Sequence, residues 1–316
     1  MYLDLVSPNR FGVTKYFLDT TKEFTYSLGY TTKGMQKAYS MEFDDHGIIM
    51  MSHYVDDENA GTHYYSPVKI AHYALAAYND YALNGDEKNL QIFNLHIRFL
   101  KENYALFNDR DDLVVWLTPS TNPKYNIPIN YKSAIVQGLI MSALVRAYLV
   151  NGDSQALDLA NKSVNILDIP VEEGGLLAQS KWGPMFEEYP CLPYSHVING
   201  FMFCLIGLYD LYLIDKNNSV KQKFDVGISS LIKTFDDWIL PYWSKYDLWD
   251  ISNDKKVNLA TRHYHFLHVD QLDILSQMSG KDELDQLSRL LVKQLKSPIS
   301  FIRVYFNKFE KLILKK

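Results

Sequence analysis

The chain has 316 residues, of which 47% are hydrophobic and 22% are charged, with a formal net charge of -5. That is enough apolar material for a large core, and the absence of a basic excess argues against nucleic acid as the main partner. Two cysteines, Cys191 and Cys204, are too few for a disulfide framework and lack metal-ligand spacing. The 23 tyrosines and 5 tryptophans suit either a carbohydrate surface or a tyrosine-rich core.

The beginning of the chain is polar and weakly periodic. Residues 1–24 carry charged and polar side chains throughout, so they lack the apolar segment of a signal peptide. No stretch approaches the roughly 20 apolar residues of a membrane span, so we expect a cytoplasmic protein. A hairpin-like run from Phe43 to Met50 predicts short strands within an N-terminal arm at residues 1–60.

A helical hairpin follows the arm and recurs along the chain. Ser66 and Pro67 are typical of a helix start, and the helical spacing of apolar residues continues to Asn84-Gly85-Asp86. Similar turns begin at residues 151, 215 and 279, giving spacings of 67, 64 and 64 residues. A near-constant period of this kind predicts a mainly α fold, an α/α toroid of about four helical hairpins over residues 61–298. A non-closed helical array is the alternative.

The links between hairpins are long and carry most of the reactive side chains. Loops on a rigid scaffold are where catalytic groups usually lie. The links cover residues 105–130, 169–193 and 239–262. Three loop segments concentrate reactive groups, namely Glu-Glu-Tyr-Pro at 187–190, Tyr-Trp-Ser-Lys-Tyr-Asp at 242–247 and Arg-His-Tyr-His at 262–265. The histidines lack the spacing of a helical zinc pair, so we expect neither a metal nor a cofactor.

Several ordered motifs carry a family resemblance. They are Glu-Glu-Tyr-Pro at 187–190, Ile-Asn-Gly-Phe-Met at 198–202, Leu-Ile-Gly-Leu-Tyr-Asp-Leu at 205–211, Tyr-Asp-Leu at 246–248 and Tyr-His at 264–265, with Gln-Gly at 137–138 and Ser-Ala-Leu-Val-Arg-Ala-Tyr at 142–148. Together they resemble the C-terminal domain of D-glucuronyl C5-epimerase, the heparosan-modifying enzyme. The resemblance spans roughly residues 60 to 276.

The resemblance implies an α/α barrel whose active site uses a glutamate and several tyrosines, here Glu188, Tyr189, Tyr246 and Tyr264. It implies an isomerase that interconverts D-glucuronate and L-iduronate within a polysaccharide. C5 epimerisation removes a proton beside the carboxylate and returns one to the opposite face, so two proton carriers are needed. We expect Glu188 and Tyr264 to be this pair, with Tyr189 and Tyr246 as hydrogen-bond donors or relays.

A second set of residues is expected to bind the substrate. We expect them to be Arg262, His265, His268, Asn199, Gln137, Trp249 and Lys181. Vertebrate-type sequences have an arginine at the position of Trp249, well placed to hold a carboxylate. Either Arg262 or Lys181 supplies that charge here, or the substrate differs from heparosan.

Other functions use similar groups. A polysaccharide lyase shares the C5 proton abstraction, whereas a glycoside hydrolase would pair Glu187 or Glu188 with Asp247 or Asp250. A non-catalytic glycan-binding protein is the alternative outside enzymology. Residues 299–316 read as a basic amphipathic helix, which we expect to pack on its own barrel or across a homodimer, with a membrane surface as the alternative.

Overall fold

The computed structural model describes residues 28–38, 41–52, 62–253 and 256–313. Its helices are α1 (Thr32–Ala38), α2 (Pro67–Asn84), α3 (Glu87–Glu102), α4 (Ala134–Asn151), α5 (Ser154–Ser163), α6 (Ile198–Asp215), α7 (Asn218–Lys233), α8 (Phe235–Trp238), α9 (Trp249–Asn253), α10 (Arg262–Ser279), α11 (Asp282–Lys296) and α12 (Pro298–Ile313). Its strands are β1 (Glu42–Phe43), β2 (Ile49–Ser52), β3 (His63–Tyr64), β4 (Ala105–Leu106), β5 (Val114–Val115), β6 (Leu177–Ser180) and β7 (Gly183–Phe186). The expectation that residues 1–24 hold no signal peptide lies outside the described residues.

Four antiparallel helical hairpins form the body of the protein. They are α2–α3, α4–α5, α6–α7 and α10–α11, and the first helices of the hairpins pack side by side in the order α2, α4, α6, α10. The second helix of each hairpin packs behind its partner. The mainly α fold with four hairpins arranged as an α/α toroid is therefore confirmed.

The predicted period is also confirmed, and its cause is a repeated turn. Each inner helix ends in a residue with left-handed backbone: Gly85 (φ 70°), Gly152 (φ 66°), Lys216 (φ 56°) and Gly280 (φ 67°). Glycine adopts this conformation without a Cβ clash, and its N–H satisfies a carbonyl of the last helical turn. At the other end of α2, Ser66 occupies the predicted N-cap position, but its side chain makes no capping hydrogen bond.

Helices α4 and α6 approach each other backbone to backbone. A Cβ atom on Gly138 would lie 2.4 Å from the carbonyl oxygen of Phe203, and one on Gly207 would lie 2.2 Å from that of Gly138. Farther along the same interface, the buried Arg146 Nη1 donates to Asp210 Oδ2 at 2.7 Å. These contacts hold α4 and α6 side by side along their length, and the candidate site lies at their N-terminal ends.

Small antiparallel sheets lie in the segments that connect the helices. Strands β1, β2 and β3 form a three-stranded sheet in which Phe43 pairs with Ile49, so the predicted hairpin is present. Strands β6 and β7 pair from Leu177–Phe186 to Ser180–Gly183. The second of these hairpins runs directly into the Glu-Glu-Tyr-Pro segment and fixes where that segment leaves the sheet.

Two helices correct the expectation that no stretch approaches membrane length. Ala134–Asn151 and Ile198–Asp215 are long and apolar enough to span a bilayer, but 72% of each is buried inside the protein. Both are inner helices of the toroid, and their apolar surface is covered by neighbouring helices. Helix α12 exposes Ile299, Ile302, Tyr305 and Phe306, and its packing across a homodimer or on a membrane stays a prediction.

Candidate active site

A cleft of about 630 Å³ lies at the N-terminal ends of the four inner helices. Its walls include Lys69 and His72 from α2, Ser133 before α4, Asn199 from α6 and Tyr264 from α10. The sheet of β1, β2 and β3 supplies another wall, with Met50, Met51 and Tyr64 among its residues. The amino ends of helices carry exposed N–H groups and a partial positive charge, so the cleft favours an anionic ligand.

The Glu-Glu-Tyr-Pro segment crosses the amino end of α4. The backbone N–H of Ala134 donates to the Glu187 carbonyl at 2.9 Å, and Ser133 Oγ donates to the Glu188 carbonyl at 2.7 Å. The N–H of Glu187 in turn donates to the Leu176 carbonyl at 2.9 Å. Because these hydrogen bonds hold the backbone of Glu187 and of Glu188, the Glu188 side chain starts from a fixed position at the cleft.

The two adjacent glutamates have different surroundings. Glu187 Oε2 accepts from Ser195 Oγ at 2.8 Å and from the backbone N–H of His196 at 3.0 Å. Its Oε1 lies 2.6 Å from Nδ1 of the buried His196. Glu187 does not line the cleft, and its carboxylate instead holds the loop that leads into α6.

Glu188 lines the cleft and is only 5% exposed. Asn199 Nδ2 donates to its Oε2 at 3.4 Å, and a Cβ on Gly200 would lie 2.3 Å from that same oxygen. Gly200 therefore lets the carboxyl group lie directly against the first turn of α6. The pKa of Glu188 is raised to about 7, chiefly by burial and also by the charge of Glu187, while hydrogen bonds from Tyr189 and Tyr246 act in the opposite direction.

The tyrosines surround this carboxyl group. The Tyr189 ring stacks on Tyr125 with centroids 4.8 Å apart, and the Tyr246 ring meets Tyr264 edge-on at 4.7 Å. Burial and the charge of Glu188 hold the pKa of Tyr189 and of Tyr246 well above the usual tyrosine value. Both phenols are therefore protonated and able to donate. The structure brings together all four predicted catalytic residues.

The buried carboxylate of Asp247 holds the residues that position the tyrosines. Asp247 Oδ2 accepts from Lys124 Nζ, Tyr125 Oη and Asn258 Nδ2, each at 2.6 Å. The backbone N–H of Tyr246 donates to the Asn258 carbonyl at 2.7 Å. Asp247 thus fixes Tyr125, on which Tyr189 stacks, and the strand-like segment that carries Tyr246.

His265 and His268, two of the predicted substrate-binding residues, lie in the core and not at the cleft. His265 Nδ1 and His268 Nδ1 lie 2.7 and 2.9 Å from Ser244 Oγ, and Trp243 stacks on His265 with centroids 3.8 Å apart. Burial lowers the pKa of His265 to about 3 and that of His268 well below its usual value, so both rings are neutral. Neither residue lines the cleft.

Other predicted binding residues also lie elsewhere. Gln137 is buried and donates to the Val114 carbonyl at 3.4 Å, and Lys181 pairs with Asp237 at 2.8 Å. The guanidinium of Arg262 lies 5.5 Å from the Phe266 ring, and the Trp249 ring packs against Tyr125 at 5.0 Å. Asn199 is the one residue of the predicted binding set that lines the cleft among the described residues.

The cleft also contains His263, which belongs to the Arg-His-Tyr-His run, and three residues that the sequence did not single out. Tyr131, His263, Lys69 and His72 line it, and the Tyr131 ring lies 5.8 Å from that of Tyr189. The signal for two of them was available, because Lys69 and His72 are polar residues in an otherwise apolar inner helix. Within the described ranges, no group of three or more histidine, cysteine or acidic residues is arranged to hold a metal ion.

Known proteins resemble this chain in sequence or in fold. A D-glucuronyl C5-epimerase of Caenorhabditis elegans is 30% identical over 200 residues, which are 58% of this chain and 32% of the worm protein. An uncharacterized protein of Methanocaldococcus jannaschii is 30% identical over 187 residues, 58% of each chain. A mannosidase of glycoside hydrolase family 76 from Bacteroides thetaiotaomicron superposes with a TM-score of 0.48 at 15% identity, covering 76% of this chain and 60% of its own.

The chain thus spans about a third of the worm relative and somewhat more than half of the archaeal one. The family description that matches is the D-glucuronyl C5-epimerase C-terminus, and the match covers residues 110–291. This range exceeds half of the chain and contains Glu188, Tyr189, Tyr246 and Tyr264. The chain belongs to the D-glucuronyl C5-epimerase C-terminal family.

Proposed function

We propose that this protein is a C5-epimerase that interconverts D-glucuronate and L-iduronate residues within a polysaccharide. The observation that carries the proposal is a buried carboxyl group, Glu188, whose pKa is raised to about 7 in a cleft that also contains Tyr264. A general base works best when its pKa lies near the operating pH. The activity named for the worm relative is this one.

The proposed reaction uses two proton carriers. In one direction the Glu188 carboxylate takes the proton from C5, which leaves an enolate-like dianion at C5 and C6. Tyr264 then gives its phenolic proton to the opposite face of C5, so the product differs from the substrate only in configuration. The reverse direction uses a protonated Glu188 and an ionised Tyr264, in accordance with microscopic reversibility. Proton exchange with water restores the starting forms.

Tyr189 and Tyr246 have a different role in this proposal. Both phenols donate to the Glu188 carboxylate, which lowers the pKa of that carboxyl group against the effect of burial. They also fix its orientation, because Tyr189 is held by Tyr125 and Tyr246 packs on Tyr264. The ring faces of Tyr131 and Tyr189 at the cleft are suited to contacts with a sugar ring.

The placement of the other carboxylates favours epimerisation over hydrolysis. A hydrolase would need a second carboxylate across the scissile bond. Glu187 is held by Ser195 and His196, Asp247 by three donors, and Asp250 by Lys245 Nζ at 2.6 Å. None of these three acidic residues is among the described residues that line the cleft, and Glu42, which does line it, is paired with His63.

The test is hydrogen exchange at C5 in deuterated water. We expect wild-type protein to place deuterium at C5 of a glucuronate polymer, detected by NMR, without cleaving the chain. Glu188→Gln and Tyr264→Phe should lower the exchange rate about 100-fold or more, whereas the matched exposed and peripheral changes Glu173→Gln and Tyr212→Phe should not. An unsaturated uronate absorbing in the ultraviolet would identify a lyase, and new reducing ends a hydrolase. If no uronate polymer exchanges, the proposal is wrong.

A further inference from the structure

Removing a proton from C5 requires that the neighbouring C6 carboxylate be neutralised. Without a cation beside it, the intermediate would carry two negative charges next to each other in a poorly hydrated site. The two cations expected from the sequence, Arg262 and Lys181, are not among the residues that line the cleft. The aromatic ring of Trp249 cannot supply the charge either. The cation must therefore come from another element.

We propose that Lys69, with His72 beside it, forms the subsite that binds the uronate carboxylate; this assignment rests on the proposed epimerase function. Both residues lie in the first two turns of α2 and line the same cleft as Glu188 and Tyr264. Residues three apart lie on the same face of a helix, so the ammonium and the imidazole reach the same part of the cleft. The amino end of α2 adds its own partial positive charge.

Lys69 is the only lysine or arginine among the described residues that line the cleft. Lysines near the same end of the ring are already bound to aspartates. Lys124 Nζ lies 2.6 Å from Asp247, and Lys245 Nζ lies 2.6 Å from Asp250. Neither Lys124 nor Lys245 lines the cleft, whereas Lys69 does.

The surroundings of Lys69 favour an anionic ligand. Burial lowers the pKa of Lys69 to about 8, because a desolvated ammonium group is less stable in its charged form. A bound carboxylate would reverse this cost and keep the lysine protonated. The electrostatic gain on binding is large for a poorly hydrated pair of opposite charges.

His72 adds an atom that needs a partner. Burial and the charge of Lys69 lower the pKa of His72 to about 3, so its ring is neutral. Its Nε2 atom is buried and has no hydrogen-bond partner among the described residues. Buried polar atoms are normally satisfied, and an exception at a cleft points to a ligand. A neutral imidazole can donate to a carboxylate or bind a sugar hydroxyl.

The experiment compares two polymers that differ only in the carboxyl group. Unsulfated heparosan and its carboxyl-reduced derivative, in which each glucuronate becomes glucose, are titrated into wild-type protein, Lys69→Met, Lys69→Arg and the surface control Lys221→Met. We expect wild-type protein and Lys221→Met to bind heparosan more tightly than the reduced polymer. Lys69→Met should bind heparosan about 10- to 100-fold more weakly, with no change for the reduced polymer.

The pH dependence separates a charge contact from a structural role. Wild-type affinity for heparosan should fall as the pH rises above about 8, since Lys69 loses its proton there. The Lys69→Arg protein should keep its affinity to higher pH because a guanidinium group remains charged. A Lys69→Met protein that still prefers heparosan, or a wild type that binds both polymers equally, overturns the assignment. C5 exchange by wild-type protein is measured in parallel, so failure of the epimerase proposal shows as binding without exchange.

Discussion

The buried carboxyl group of Glu188 should make the stability of the protein depend on pH in a predictable way. Its pKa is raised from 4.5 to about 7 in the folded state. The folded protein therefore binds this proton more tightly than the unfolded chain does. Stability from this source is fully present below pH 4.5, is lost as the pH rises towards 7, and stays lost above that. A shift of this size corresponds to about 3 kcal/mol at 1.36 kcal/mol per pKa unit.

The change that isolates this effect is Glu188→Gln. Glutamine keeps the size of the side chain but cannot ionise, so the variant should lack the pH-dependent component. Urea unfolding of both proteins at several pH values gives the assay. The free energy of unfolding of wild type, relative to the variant, should fall by about 2 to 3 kcal/mol between pH 5 and pH 8.

The control is the exposed carboxylate change Glu173→Gln, which should follow the wild-type curve. Wild type and Glu188→Gln curves that stay parallel over this range would refute the reasoning, because Glu188 would then have the same pKa in both states. The same titration should appear in catalysis. The C5 exchange rate from the direction in which Glu188 is the base should rise with pH and reach half its maximum near pH 7.

Three further changes test the arrangement around the site. Gly200→Ala should abolish most C5 exchange and lower the unfolding free energy by about 1–3 kcal/mol, because the new methyl group would overlap Glu188 Oε2. Arg146→Met should cost about 3–5 kcal/mol in urea unfolding, since it leaves Asp210 buried and unpaired between α4 and α6. Asp247→Asn should lower the exchange rate more than it raises KM, because it loosens the support of Tyr189 and Tyr246 without touching the cleft.

The helical repeat and the four catalytic candidates could be predicted because their signals are local. An Asn-Gly or Ser-Gly pair at the end of a long helical run favours a left-handed helix end, and α2, α4 and α10 all end that way. The Glu-Glu-Tyr-Pro motif at residues 187–190 can be recognised from the sequence alone. What the sequence could not reveal is which helix face meets the cleft and which meets the core.

The run Arg-His-Tyr-His at residues 262–265 illustrates the difficulty. It reads as a loop, but α10 begins at Arg262, where Thr261 caps the helix by accepting from the Tyr264 N–H at 3.3 Å. On a helix, each residue is rotated by about 100° from the last, so Tyr264 lines the cleft while His265 packs on Trp243. Lys69 is not predicted as a site residue for a different reason. Most of the residues around it in α2 are apolar, and this pattern predicts a helix buried in the core.

The contacts of Glu188 give the surrounding tyrosines a role other than that of a base in the proposed reaction. Burial and the charge of Glu187 raise the pKa of Glu188, while the phenols of Tyr189 and Tyr246 lower it by donating to the ionised form. The two phenols can do this because their own pKa values are raised well above the usual tyrosine value, so they remain protonated donors at neutral pH. Removing either phenol would weaken this opposition to burial and raise the pKa of Glu188 further. In the proposed reaction, Tyr189 and Tyr246 therefore adjust the basicity of Glu188, and Tyr264 is the tyrosine that gives a proton to the substrate.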